Sequence, residues 1–94
     1  MDELIEFIIE QLSALIPDIT KLEFGASITD TSRTFEFFVT IAGERFQCNE
    51  MVDDGRISDE ALDSVFATIA NHWRMSTFYK KGQINKMSFI YEKD

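Results

Sequence analysis

The chain is 94 residues long and carries a formal charge of −8 at neutral pH, which makes one domain spanning 1–94, long enough to bury a core. The carboxylate excess disfavours nucleic acid and anionic membranes, whose phosphates attract lysine and arginine, and favours a basic partner or plain solubility. A single cysteine, Cys48, excludes an intrachain disulfide, and the acidic opening Met1-Asp2-Glu3, with no apolar run of membrane-spanning length, reads as a soluble cytoplasmic protein.

Residues 2–16 predict a helix. Leu4, Ile5, Ile8, Leu12, Leu15 and Ile16 form one stripe at helical spacing. Asp2 and Glu3 complement the dipole of its first turn, and Pro17 ends it. Phe7 falls off the stripe, either an edge residue under a loop or an exposed aromatic anchor. Residues 20–29 alternate, with Leu22, Phe24, Ala26 and Ile28 on one side and polar or small residues on the other, the pattern of a half-buried strand. After the turn cluster Asp30-Thr31-Ser32-Arg33, residues 34–41 make a second strand. Phe35, Phe37, Val39 and Ile41 face inward; Thr34, Glu36, Phe38 and Thr40 face outward. Ala42-Gly43-Glu44 turns into a third strand over residues 45–48, with Phe46 and Cys48 inward and Cys48 read as a small buried hydrophobe.

Residues 49–57 read as an acidic loop holding Glu50, Asp53, Asp54 and Gly55; the carboxylate spacing does not match a calcium-binding loop. Ser58 is a suitable N-cap for a second helix, with Ile57 and Leu62 at the two positions of a hydrophobic staple and Asp59 and Glu60 in the first turn. Leu62, Val65, Phe66, Ile69, Ala70 and Trp73 continue as one stripe. His72 and Arg74 close the helix, where positive charge suits the dipole. Thr77–Tyr79 and Ile84–Tyr91 then predict a terminal hairpin turning at Lys80-Lys81-Gly82-Gln83, with Gly82 supplying positive φ and Trp73 buried at the corner. The resulting fold is α+β, an antiparallel β-meander with two helices packed on one face, in the order α-β-β-β-α-β-β.

Nothing in this pattern assembles chemistry. One histidine and one cysteine exclude a four-ligand His/Cys zinc site within the chain. There is no nucleophile elbow and no phosphate-binding glycine loop. The expectation is therefore a protein with no catalytic residues, metal or other cofactor, and no enzymatic activity. Charge is more informative. Residues 1–23 carry net −5, residues 44–63 net −5, and residues 74–94 net +3. The acid thus concentrates on the helices and the 50s segment, an arrangement suited to meeting a basic protein surface.

The closing stretch carries a resemblance. Trp73 ending a helix, Thr77-Phe78, Gly82 at a turn and Phe89-Ile90-Tyr91-Glu92 resemble the C-terminal signature of the YezG-like immunity proteins, small bacterial antitoxins that neutralise a secreted toxin domain; the preceding order of elements is similar too. The resemblance implies an immunity protein whose partner is a cognate protein toxin. A nuclease toxin needs a basic cleft, which an acidic protein can occupy, with charge speeding encounter and aromatic anchors holding the complex. The partner-binding candidates are Glu44, Glu50, Asp53, Asp54, Asp59, Glu60 and Asp63, with Glu36, Phe38 and Tyr79 expected on the outer face of the sheet. Neither nucleic acid nor membrane is an expected partner, and a monomer is expected. A different class, the small acidic secretion chaperones, binds an extended client segment as a dimer; Phe7 and Phe38 would then line the groove.

Overall fold

The structure, a computed structural model, describes residues 2–93. Its elements run α1 (Asp2–Leu15), β1 (Lys21–Ile28), β2 (Arg33–Ile41), β3 (Glu44–Gln47), α2 (Cys48–Asp53), α3 (Asp59–Arg74) and β4 (Asn85–Glu92). The four strands form one antiparallel sheet in the order β3-β2-β1-β4. The fold is therefore the α+β arrangement expected from the patterning: a meander of β1 to β3, with helices on one face and the last strand added beside the first.

Alternation fixes the register. Leu22, Phe24, Ala26 and Ile28 of β1 face Val39, Phe37, Phe35 and Arg33 of β2 on one side, and Tyr91, Phe89, Met87 and Asn85 of β4 on the other. Because side chains change face at every residue, a slip of one position would turn this whole set to solvent. The β2–β3 hairpin turns on two residues, Ala42 and Gly43, both at positive φ (52° and 80°). A two-residue loop of this hand matches the strand twist, and glycine accepts the geometry without strain.

Leu4, Ile8 and Leu12 of α1 and Leu62, Ile69 and Trp73 of α3 join the inner sheet residues in one core. Phe66 of α3 lies 4.7 Å from Phe35, stacked, and 6.0 Å edge-on from Phe37. Ser58 caps α3, its Oγ accepting from the Ala61 N–H at 3.0 Å, and the flanking Ile57 and Leu62 are both buried, as a staple requires. Phe7 is covered by a helix rather than a loop: its ring stacks on His72 at the end of α3, 3.9 Å between centroids.

Two segments depart from the sequence reading. The acidic stretch 49–57 is not all loop; Cys48–Asp53 is the short helix α2, so Cys48 opens a helix instead of closing a strand, although it is buried as expected. The Gln47 N–H donates to the Glu50 carboxylate at 3.1 Å, satisfying a donor that the start of a helix otherwise leaves open, while Cys48 and Met51 anchor the helix in the core.

The second departure is Thr77–Tyr79, which forms no strand. The Ser76 N–H and hydroxyl both donate to the Trp73 carbonyl (3.0 and 2.6 Å), and the Tyr79 N–H donates to the Ser76 carbonyl (3.3 Å), so consecutive turns carry the chain away from α3. The free edge of β1 goes to the eight-residue β4, which offers a far longer ladder than three residues could. Gly82 does have positive φ (77°), but its turn leads into β4 from a loop rather than from a strand. Asn85, buried at the start of β4, secures that loop: its amide donates to the Lys80 and Gln83 carbonyls and accepts from the Lys80 N–H.

Trp73 is 1% exposed, in one core with Leu4, Ile8 and Leu12 of α1 and beside the loop that leads to β4. Trp73→Ala should destabilise the protein by about 3–5 kcal/mol, the usual loss for a large aromatic removed from a core; chemical denaturation followed by circular dichroism measures it.

Candidate protein-binding surface

Acidic residues take many of the exposed positions of the three helices, while Glu23, Glu36, Glu44 and Glu92 belong to the sheet. On α1, the non-stripe positions Asp2, Glu3, Glu6 and Glu10 are exposed. These four lie outside the contact residues expected from the sequence, though the −5 charge of residues 1–23 is their signal. On α2, Glu50 is committed to capping. Asp53 and Asp54 end that helix, where the Asp54 N–H closes onto the Glu50 carbonyl and Gly55 (φ 74°) lets the chain reverse. A carboxylate at this end opposes the helix dipole, so neither aspartate is explained by local stability. Asp59 and Glu60 lie exposed in the first turn of α3, where the dipole favours them.

Asp63 is bonded to Arg33 of β2 at 2.6 Å, which ties α3 to the sheet and removes this residue from the set of unpaired acids. Glu44 is exposed where β3 begins, beside the Ala42-Gly43 turn. Among the described residues, no ion pair engages Asp2, Glu3, Glu6, Glu10, Glu44, Asp53, Asp54, Asp59 or Glu60.

The outer face of the sheet has a different character. Glu36 and Phe38 both point there, as expected, but neither stands alone. The Gln47 amide donates to Glu36 at 3.1 Å. The Arg45 guanidinium lies 3.8 Å over the Phe38 ring while donating twice to Glu23, at 2.8 and 3.3 Å. That bond holds the Glu23 carboxyl below its ordinary range, with the Arg45 and Lys21 charges adding to it against some desolvation; the Arg45 guanidinium is raised by the same bond. Beside this cluster, Gly25 leaves a shallow depression between Phe38 and Ile90, floored by backbone and rimmed by Glu23, Glu36 and Ser88.

Tyr79 is not on the outer face. It lies in the loop between α3 and β4, and its hydroxyl donates to Asp30 in the β1–β2 turn at 2.5 Å; the Gly82 N–H donates to the other Asp30 oxygen at 3.0 Å. Arg74 grips the same turn by donating to the Thr29 and Ser32 carbonyls (3.0 and 2.9 Å). Tyr79 is thus a clasp between distant segments. The β propensity of Thr77-Phe78-Tyr79 put it in a strand, and no local signal announces a partner so remote in sequence.

Comparison with protein-family models, with curated proteins and with solved structures gives no match.

The clasp has a pH signature. The Tyr79 hydroxyl holds the Asp30 carboxyl below its usual range, against desolvation and helped by the Gly82 N–H, and the Asp30 bond raises the Tyr79 phenol. A carboxyl lowered on folding stabilises above its unfolded pKa and loses that contribution as pH falls through the folded value; a phenol raised on folding stabilises below its unfolded pKa and loses it as pH rises through the folded value. Tyr79→Phe should therefore lower the melting temperature at neutral pH, with the gap to wild type narrowing below about pH 4 and above about pH 10. Thermal melts across a pH series read this directly.

Proposed function

We propose that the protein is an immunity protein, acting by binding and not by catalysis, which neutralises a cognate secreted bacterial toxin domain through the acidic surface of its helical side. The observation that carries this reading is the set of unpaired carboxylates spread over α1, α2 and the start of α3, two of which, Asp53 and Asp54, stand where they oppose the helix dipole. Residues that folding does not ask for are the ones to assign to function. A nuclease domain is the toxin class that fits, since a cleft built to hold phosphate is basic and attracts such a surface over long range. The resemblance of the Trp73 to Glu92 stretch to the YezG-like immunity proteins supports the same reading. Cytoplasmic residence follows from this role, because the toxin must be met inside the producing cell; no helix among the described residues is long and apolar enough to cross a membrane.

The test uses the cognate toxin domain, identified by pull-down from the native cell, and stopped-flow association at two salt concentrations. Asp53→Lys with Asp54→Lys should slow association by roughly tenfold or more at low salt and flatten its salt dependence, while leaving the melting temperature near that of wild type. Glu50→Lys is the contrasting variant: it removes the cap on the Gln47 N–H and should lower stability. If the double variant associates as fast as wild type and still protects cells, the acidic surface is not the contact.

A further inference from the structure

The two edges of the sheet are built differently. β3 is four residues long and runs straight into α2, which leaves little free ladder. β4 is eight residues long, has no proline, and is paired on one side only, with β1. The direction of its unpaired groups can be read from the ladder. The Lys93 N–H donates to the Thr20 carbonyl (2.9 Å), and across β1 the Thr29 N–H donates to the Ser32 carbonyl (3.0 Å). In an antiparallel sheet, residues that bond to one neighbour alternate with residues that bond to the other. Tyr91, Phe89, Met87 and Asn85 therefore bond to β1, and the N–H and C=O groups of Lys86, Ser88, Ile90 and Glu92 point away from the sheet. An edge of this length with an exposed apolar side chain, Ile90 at 67%, is a template for another strand.

The side chains say which strand. Paired antiparallel with its own copy about a two-fold axis through Phe89, β4 sets Lys86 opposite Glu92 and Ser88 opposite Ile90 on the outer face, and Met87 opposite Tyr91 on the inner face. Lys86, Ser88, Ile90 and Glu92 are then the bonded positions, so the outward backbone groups of both strands are satisfied by each other. Shifting the register by two residues in either direction keeps the backbone pairing but parts Lys86 from Glu92. The register about Phe89 sets these two opposite each other at both symmetric places, with Met87 against Tyr91 on the inner face.

We infer that the free edge of β4 pairs with β4 of a second copy of this chain, joining two four-stranded sheets into one. The monomer expected from the sequence is the alternative that the experiment decides. The two-fold axis stands perpendicular to the sheet, so the helical sides of both copies face the same way, and the inference does not depend on what those sides bind.

Sedimentation velocity across a concentration series, with circular dichroism on every variant, tests the inference. Wild type should show a reversible monomer–dimer equilibrium. Lys86→Glu or Glu92→Lys alone sets like charges opposite at two symmetric places and should weaken the dimer by about tenfold, whereas the double exchange should recover affinity to within about threefold of wild type. Glu92→Lys also removes the contact with Lys21 within its own chain (3.6 Å). The exchange at residue 86 leaves that loss in place, so recovery reports pairing across the dyad. Ser88→Pro deletes an outward N–H that β1 does not use, and should leave a folded monomer. A wild type that stays monomeric at about millimolar concentration, a folded Ser88→Pro variant that still dimerises, or a folded double exchange no tighter than the single variants would each overturn the inference.

Discussion

β1 carries the architecture. It pairs along all eight of its residues with β2 on one side and β4 on the other, so one alternating sequence sets the register of two neighbours at once. Its inner residues are the floor on which Phe37, Val39, Met87 and Phe89 meet the helices. Everything else is arranged so that this strand can be central. α1 ends at Leu15, just before Pro17, and delivers the chain to the start of β1, a tight turn sends it back as β2, and the chain after α3 is steered round to its free edge. That steering falls to small polar devices: Arg74 on the Thr29 and Ser32 carbonyls, Asp30 between Tyr79 and Gly82, and Asn85 on the Lys80 loop.

Long periodic elements were legible in the sequence because their pattern is their cause. The stripe from Leu4 to Leu15, the alternation of residues 20–29 and 34–41, and Ser58 followed by its own stripe each state which face is buried. What was not legible had no period to show. α2 is too short for a stripe, and Gln47 is an unusual residue to open a helix; Glu50 in the capping role was the available signal, hidden among acids that read as loop. Thr77-Phe78-Tyr79 has strand-like composition, but a strand needs a partner, and the edge it would have used belongs to β4.

For the surface, the sequence told charge but not commitment. It marked Glu50, Asp63, Asp53 and Asp54 alike, because a carboxylate looks the same in sequence whether it caps a helix, holds an arginine or stands free. Only the fold separates Glu50, which bonds the Gln47 N–H, and Asp63, which bonds Arg33, from the aspartates that end α2. Phe38 shows the same limit: alternation sent it outward, yet Arg45 on a neighbouring strand lies over its ring. Such cross-strand cover depends on register, which composition does not encode.

The position of β4 in the sheet has a kinetic meaning. β1 and β2 can zip from a short turn, and β2 and β3 from a shorter one, but Leu22 and Tyr91, partners across the β1–β4 ladder, lie nearly the whole chain apart. Bringing them together carries the entropy of closing a very long loop, and pairings of this kind form slowly. The β1–β4 ladder is therefore the long-range pairing that weighs most on the folding rate, and the polar clasps around Asp30 and Asn85 hold the returning chain beside the edge it fills.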